Sequence, residues 1–153
     1  AYHDLGMSGP RAIHHITGGK LLMQDMRLRK WFSESQIKIM KEAVEDHRAS
    51  ASHAPRSMYG KIVAEADRDI DPDIVLRRTV QFGLANYPEK SRDEQWKRFC
   101  DHLENKYSNN GYIRLWIPGS ENEKKLKALR EIIADRHKLL QIFNDIYQQE
   151  SGE

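Results

Sequence analysis

Near the start of the chain His3 and Asp4 stand side by side, with Gly6 two residues further on. An imidazole and a carboxylate can hold one divalent cation when further nitrogen and oxygen ligands converge on them. The chain offers such ligands downstream: His14 and His15, then His47, then Asp67. Mixed ligation of this kind suits Mn²⁺, Fe²⁺, Zn²⁺, Co²⁺, Ni²⁺ or Mg²⁺ without selecting among them. A position left open on such an ion binds and activates water.

Helices must bring these groups together. Residues 1–4 read as the last turn of a helix, and Gly6, Ser8, Gly9 and Pro10 as a loop. A helix is expected from about Ala12 to Leu28. Gly18 and Gly19 inside it should cost about 1 kcal/mol each relative to alanine, which is tolerable where a second backbone or a ligand comes close. Ser33 and Gln36 match a capping box. The helix that follows carries Met40, Val44 and His47 on one face, so His47 should point inward with the apolar side chains.

Residues 49–56 form a loop by composition. The next helix starts at Ser57, with Met58, Ile62, Val63 and Ala66 as its expected buried stripe and Asp67 beside that stripe. A carboxylate there must be paired or coordinate a metal, the pairing partner being an arginine such as Arg48 or Arg68. Asp71-Pro72 opens another helix, ending near Tyr87-Pro88. A second capping box, Ser91 with Glu94, starts a helix whose buried face is Trp96, Phe99, Cys100, Leu103 and Tyr107; Cys100 reads as a core residue. Residues 112–117 are expected to form a loop or helical turn over the core. Ser120 then caps a last helical region, restarted at Asp135.

The runs His3-Asp4-Leu5-Gly6, His14-His15-Ile16-Thr17-Gly18-Gly19, Glu45-Asp46-His47-Arg48 and Lys61-Ile62-Val63-Ala64-Glu65-Ala66-Asp67 resemble, in order and spacing, the HD-domain superfamily of metal-dependent phosphohydrolases. The later part is similar to the C-terminal helices of small bacterial HD proteins. The resemblance implies an all-α, HD-domain-like bundle with a metal site between core helices. It implies one domain over residues 1–153, with 91–153 as a C-terminal extension packed on it. It also implies a first metal histidine on a helix upstream of Ala1, so that the domain is N-terminally incomplete in this sequence.

That histidine, His3, Asp4 and Asp67 would hold a first ion. Asp4 would bridge to a second, held by His47 and by His14 or His15. Adjacent residues on a helix point about 100° apart, so one of the pair faces the metal, and His15 is preferred. The implied reaction is hydrolysis of a phosphate ester by metal-activated water, on a nucleotide or small phosphorylated metabolite. The ligand spacing is similar to that of the HD diadenosine tetraphosphatase branch. Asp4, Arg48 and Lys61 are the candidate catalytic residues. Arg48 is favoured because its planar fork suits phosphate. Arg56 and Lys61 are further cations and His53 a donor to a leaving group, with a solvated surface role as the alternative for each; if one ion binds instead of two, a single activated water attacks, with Glu45 or Asp46 as an acid beside it. The competing reading is a non-catalytic HD domain that binds a metal or nucleotide as a sensor or interaction module.

Composition excludes other classes. The 153 residues include 25 basic and 23 acidic ones, interleaved, for a net charge of +2. A nucleic-acid binder would gather its basic residues on one face. The densest basic cluster, Arg27, Arg29 and Lys30 beside Trp31, reads as a solvated helix end. No apolar run approaches the ~18 residues of a membrane span. A single cysteine allows no internal disulfide framework and suits a reducing cytoplasm. The expected partners are a small phosphorylated substrate and, compatibly, a second copy as a homodimer, with neither nucleic acid nor membrane.

Overall fold

A computed structural model describes residues 2–51 and 53–152. Seven α-helices carry the fold, and no strand occurs among the described residues: α1 (His14–Gln24), α2 (Glu34–Asp46), α3 (Met58–Ala66), α4 (Pro72–Asn86), α5 (Arg92–Tyr107), α6 (Glu121–Ala134) and α7 (Arg136–Ser151). The all-α expectation holds at that level. None of these helices is long and apolar enough to cross a membrane.

The chain divides into two compact units, Ala1–Arg68 with Arg114–Pro118, and Asp69–Ile113 with Gly119–Glu153. In the first, Leu22 of α1 packs with Ile37 and Val44 of α2, and Tyr2, Met23, Leu28 and Met40 close around them. The segment 114–118 is tied to α3 through polar groups. The Glu65 carboxylate accepts from the backbone amides of Trp116 and Ile117, both at 2.9 Å, and Arg68 donates to the Arg114 carbonyl at 2.6 Å. In the second unit, the rings of Trp96, Phe99 and Phe143 pack with centroids 5.2–5.8 Å apart, and Leu103, Leu129 and Leu139 are fully buried. Cys100 is buried in that core, as its place on the stripe implied.

Local sequence signals set most helix ends. Both expected capping boxes form: Ser33 with Gln36 at α2, and Ser91 with Glu94 at α5. Ser120 and Asp135 cap α6 and α7 by accepting from the amides of Glu123 and Lys138. Three expectations are corrected. The helix foreseen from Ala12 to Leu28 is broken at Asp25, whose extended backbone and side-chain bond to the Arg27 amide start a separate 3₁₀ turn, Met26–Lys30. The loop foreseen at Gly6–Pro10 contains a 3₁₀ turn, Leu5–Ser8. The buried face of α3 is Gly60, Ala64 and Glu65, whereas Met58, Ile62 and Ala66 lie exposed. Periodicity finds apolar residues on that helix but does not say which face another element covers.

Candidate metal centre

Glycines let the first residues of the chain lie flat on α1. A Cβ on Gly6 would stand 1.9 Å from the His14 carbonyl oxygen, and one on Gly18 would stand 3.1 Å from the Tyr2 oxygen and 3.3 Å from the His3 oxygen. Without side chains at these positions, the backbone carrying His3 and Asp4 reaches helix-contact distance. A side-chain bond from the Tyr2 hydroxyl to Asp25, just past the end of α1, holds the segment there. His14 is the first residue of α1, His47 caps the C-terminus of α2, and Asp67 caps that of α3. Three helix ends and one laid-down segment thus converge within the first unit.

At the point of convergence, two sets of ligand atoms share one carboxylate. Asp4, His14 and His47 offer atoms within 4.8 Å of one another, and so do His3, Asp4 and Asp67. In the inner set, the Nε2 atoms of His14 and His47 are 3.1 Å apart, and Asp4 Oδ1 lies 3.8 Å and 4.0 Å from them. In the outer set, His3 Nε2 lies 3.0 Å from Asp67 Oδ1 and 3.3 Å from Asp4 Oδ2. The two oxygens of Asp4 therefore face different groups, the arrangement of a bridging carboxylate. Two ligands held at ~2.0–2.2 Å from one ion are roughly 3 Å from each other, so both close pairs have a spacing that an ion can bridge.

The tautomers of the inner histidines follow from their other contacts. His14 Nδ1 lies 2.7 Å from the Arg11 carbonyl oxygen, and His47 Nδ1 lies 2.6 Å from that of Val44. A carbonyl only accepts, so each Nδ1 carries the proton and donates it. In the neutral rings, both Nε2 atoms then present lone pairs to each other at 3.1 Å. Such a contact is repulsive unless a proton or a metal cation lies between or beside them. A backbone carbonyl that fixes Nδ1–H and aims Nε2 is the usual support of a metal-ligating histidine. His47 is buried, and burial pushes its pKa below the ordinary imidazole value; the Val44 bond and Asp67 oppose the shift, and His14 and His3 add to it. A ring held neutral has its lone pair free for a cation.

The remaining candidates fall outside. His15, preferred over His14 from the sequence, belongs to neither set. Because α1 begins at His14, the preceding 3₁₀ turn brings the Arg11 carbonyl to that ring, and the next residue projects elsewhere. The His15 Nδ1 is buried without a hydrogen-bond partner, and burial, then Arg48, lowers its pKa. Arg48 donates to the Ala12 carbonyl at 2.6 Å, bracing the turn that leads into His14. Arg56 pairs with Glu45 and Asp46, each at 2.8 Å, so these three form a strut from the loop to α2. Burial alone would raise the Asp46 and Glu45 pKa values, but in Asp46 the Arg56 bonds, and in Glu45 those of Lys41 and Arg56, outweigh it and hold both carboxylates below the usual range. Lys61 is half-buried on α3, and no ion pair joins it to the cluster among the described residues. His53 stays exposed in its loop, bonded to the neighbouring Ala54 carbonyl.

The bond from the Tyr2 hydroxyl to Asp25, which holds the ligand-bearing segment, gave no signal in the sequence. Comparison with protein-family models, with curated proteins and with solved structures finds no match. The centre therefore rests on its own geometry.

Proposed function

We propose that this chain is an HD-type, divalent-metal-dependent phosphohydrolase, acting in the cytoplasm on a nucleotide or small phosphorylated metabolite. The observation that carries the reading is the split of the Asp4 carboxylate between two ligand groups, one of which sets two Nε2 lone pairs 3.1 Å apart. The reaction joins the oxygen of water to phosphorus as the ester P–O bond breaks, releasing an alcohol and phosphate. A bound divalent ion supplies Lewis-acid polarisation and a water of lowered pKa.

The chain's own residues do the rest. Arg11 and Val44 carbonyls orient the His14 and His47 rings, burial favours the neutral form of His47, and Asp4 joins the inner group to the outer His3–Asp67 pair. Asp4 is more than half exposed, at 59%, which leaves the shared carboxylate open to a ligand arriving from solvent.

A second reading, a domain that binds metal without turnover, has one observation in its favour. Arg48 and Arg56, the cations best suited to phosphate, already donate to Ala12, Glu45 and Asp46. One experiment separates the two readings. Protein stripped with chelator is reloaded with Mn²⁺, Co²⁺, Zn²⁺ or Mg²⁺ and assayed on p-nitrophenyl phosphate and a nucleotide panel, with elemental analysis alongside. Metal-dependent phosphate release supports the hydrolase, retained metal without release supports the binding domain, and neither refutes both.

A further inference from the structure

A cavity of about 460 Å³ opens in the first unit, and its wall includes His3, one of the outer ligand group. Its remaining lining is mostly apolar, with Gln36 of α2 the exception: Leu22 from α1, Met40 and Val44 from α2, and Ile62 and Val63 from α3 are among its residues. Val63 stands one turn before Asp67, and Val44 gives its carbonyl to His47, so the elements that form the wall also end in the candidate ligands. Tyr59 is mostly exposed and Ile62 about half exposed at the cavity, and the Tyr2 hydroxyl is taken up by Asp25.

Volumes of roughly 300–1,000 Å³ hold small molecules, and sites of this kind are largely apolar with a few polar groups that fix orientation. Here the polar groups are His3, at the boundary with the carboxylates, the hydroxyl of Tyr59, and Gln36, whose side-chain oxygen is already taken by the Ser33 amide and hydroxyl. A nucleoside or sugar arm would bury several hydroxyls and ring nitrogens in this wall, with few partners for them. An aryl or alkyl arm has none to lose.

We propose that the cavity takes the organic arm of the substrate, and that this arm is apolar: the ligand is a phosphate monoester of an aryl or alkyl alcohol, with its phosphoryl end at His3. The assignment rests on the phosphohydrolase reading for where the phosphate goes. It narrows that reading away from polar metabolites.

Binding is measured by calorimetry with Mn²⁺ present, independently of turnover, using 1-naphthyl phosphate, glycerol phosphate, inorganic phosphate and 1-naphthol. The expected result is that 1-naphthyl phosphate binds at least about tenfold more tightly than each of the other three, a difference of ~1.4 kcal/mol. Ile62→Asn and, as a second variant at an exposed position, Tyr59→Ala should each shrink that advantage at least about threefold, with thermal stability and metal content unchanged. Equal affinity for glycerol and naphthyl phosphates overturns the proposal, as does an advantage that survives both substitutions. Naphthol binding as tightly as its phosphate also overturns it, because the cavity is then independent of the centre. Retained discrimination without any phosphate release leaves this proposal standing and sinks the hydrolase alone.

Discussion

His14 and His47 meet Nε2 to Nε2 at 3.1 Å, while the Nδ1 of each contacts a carbonyl oxygen within its own local turn. Two rings fixed in this way repel each other whenever neither Nε2 carries a proton, and a shared metal cation relieves that repulsion. The relationship also tells the two adjacent histidines apart. His14→Ala and His47→Ala should each weaken Mn²⁺ or Zn²⁺ binding by at least about tenfold, the scale set by loss of supporting groups alone, whereas His15→Ala should leave it within about twofold. Titration of stripped protein with metal reads all three. Equal losses at His14 and His15 would contradict the geometry.

The pH dependence follows from His47. Its folded pKa lies below the unfolded value of about 6.5 because burial disfavours the charged ring. The unfolded chain therefore binds the proton first as pH falls, and stability present above about pH 6.5 is lost on the acid side. His15, also lowered chiefly by burial, acts in the same direction. Urea unfolding of metal-free protein should give a lower midpoint at pH 5 than at pH 7.5, and His47→Gln should reduce that difference. Metal should leave the wild type over the same interval, because protons compete for the ligating nitrogens.

The sequence carried the capping boxes at Ser33 and Ser91 because both partners sit within one turn of each other. It also carried the inward face of His47, which shares its stripe with the core residue Val44. The choice between His14 and His15 was not legible, since it depends on where α1 starts and on which carbonyl the preceding 3₁₀ turn presents. Nor were the exposure of Met58 and Ile62 or the commitment of Arg56 to Asp46: the first depends on which elements cover α3, the second on how the loop after α2 folds back on its end.

The two glycines that admit the N-terminal segment give a test of how the centre is built. Gly6→Ala puts a methyl 1.9 Å from a backbone oxygen, which side-chain adjustment cannot relieve, so the segment bearing His3 and Asp4 must move. The expected outcome is a metal affinity lowered at least about tenfold together with a loss of roughly 1–3 kcal/mol of stability. Gly18→Ala meets the Tyr2 oxygen and Val44 Cγ1 at 3.1 Å, a milder crowding set against the ~1 kcal/mol gain in helix propensity. It should therefore change stability little and metal affinity more. Gly9→Ala, whose nearest contact is 3.7 Å, is the control that should alter neither.

Arg56 separates a strut from a phosphate ligand. Its guanidinium and backbone amide together supply the bonds that hold the Asp46 carboxylate, whose side chain is 1% exposed. Removing one partner of a buried pair leaves the other charge uncompensated, a penalty of about 3–5 kcal/mol when both are enclosed. Arg56 is itself 43% exposed, so water can partly replace it and a smaller loss of roughly 1–3 kcal/mol is expected for Arg56→Ala. Arg56→Lys keeps the charge but loses the bidentate fork, and should fall between. Neither variant should change metal content, and the KM for an aryl phosphate should stay within about twofold of wild type. A raised KM with unchanged stability would return Arg56 to the substrate and remove it from the fold.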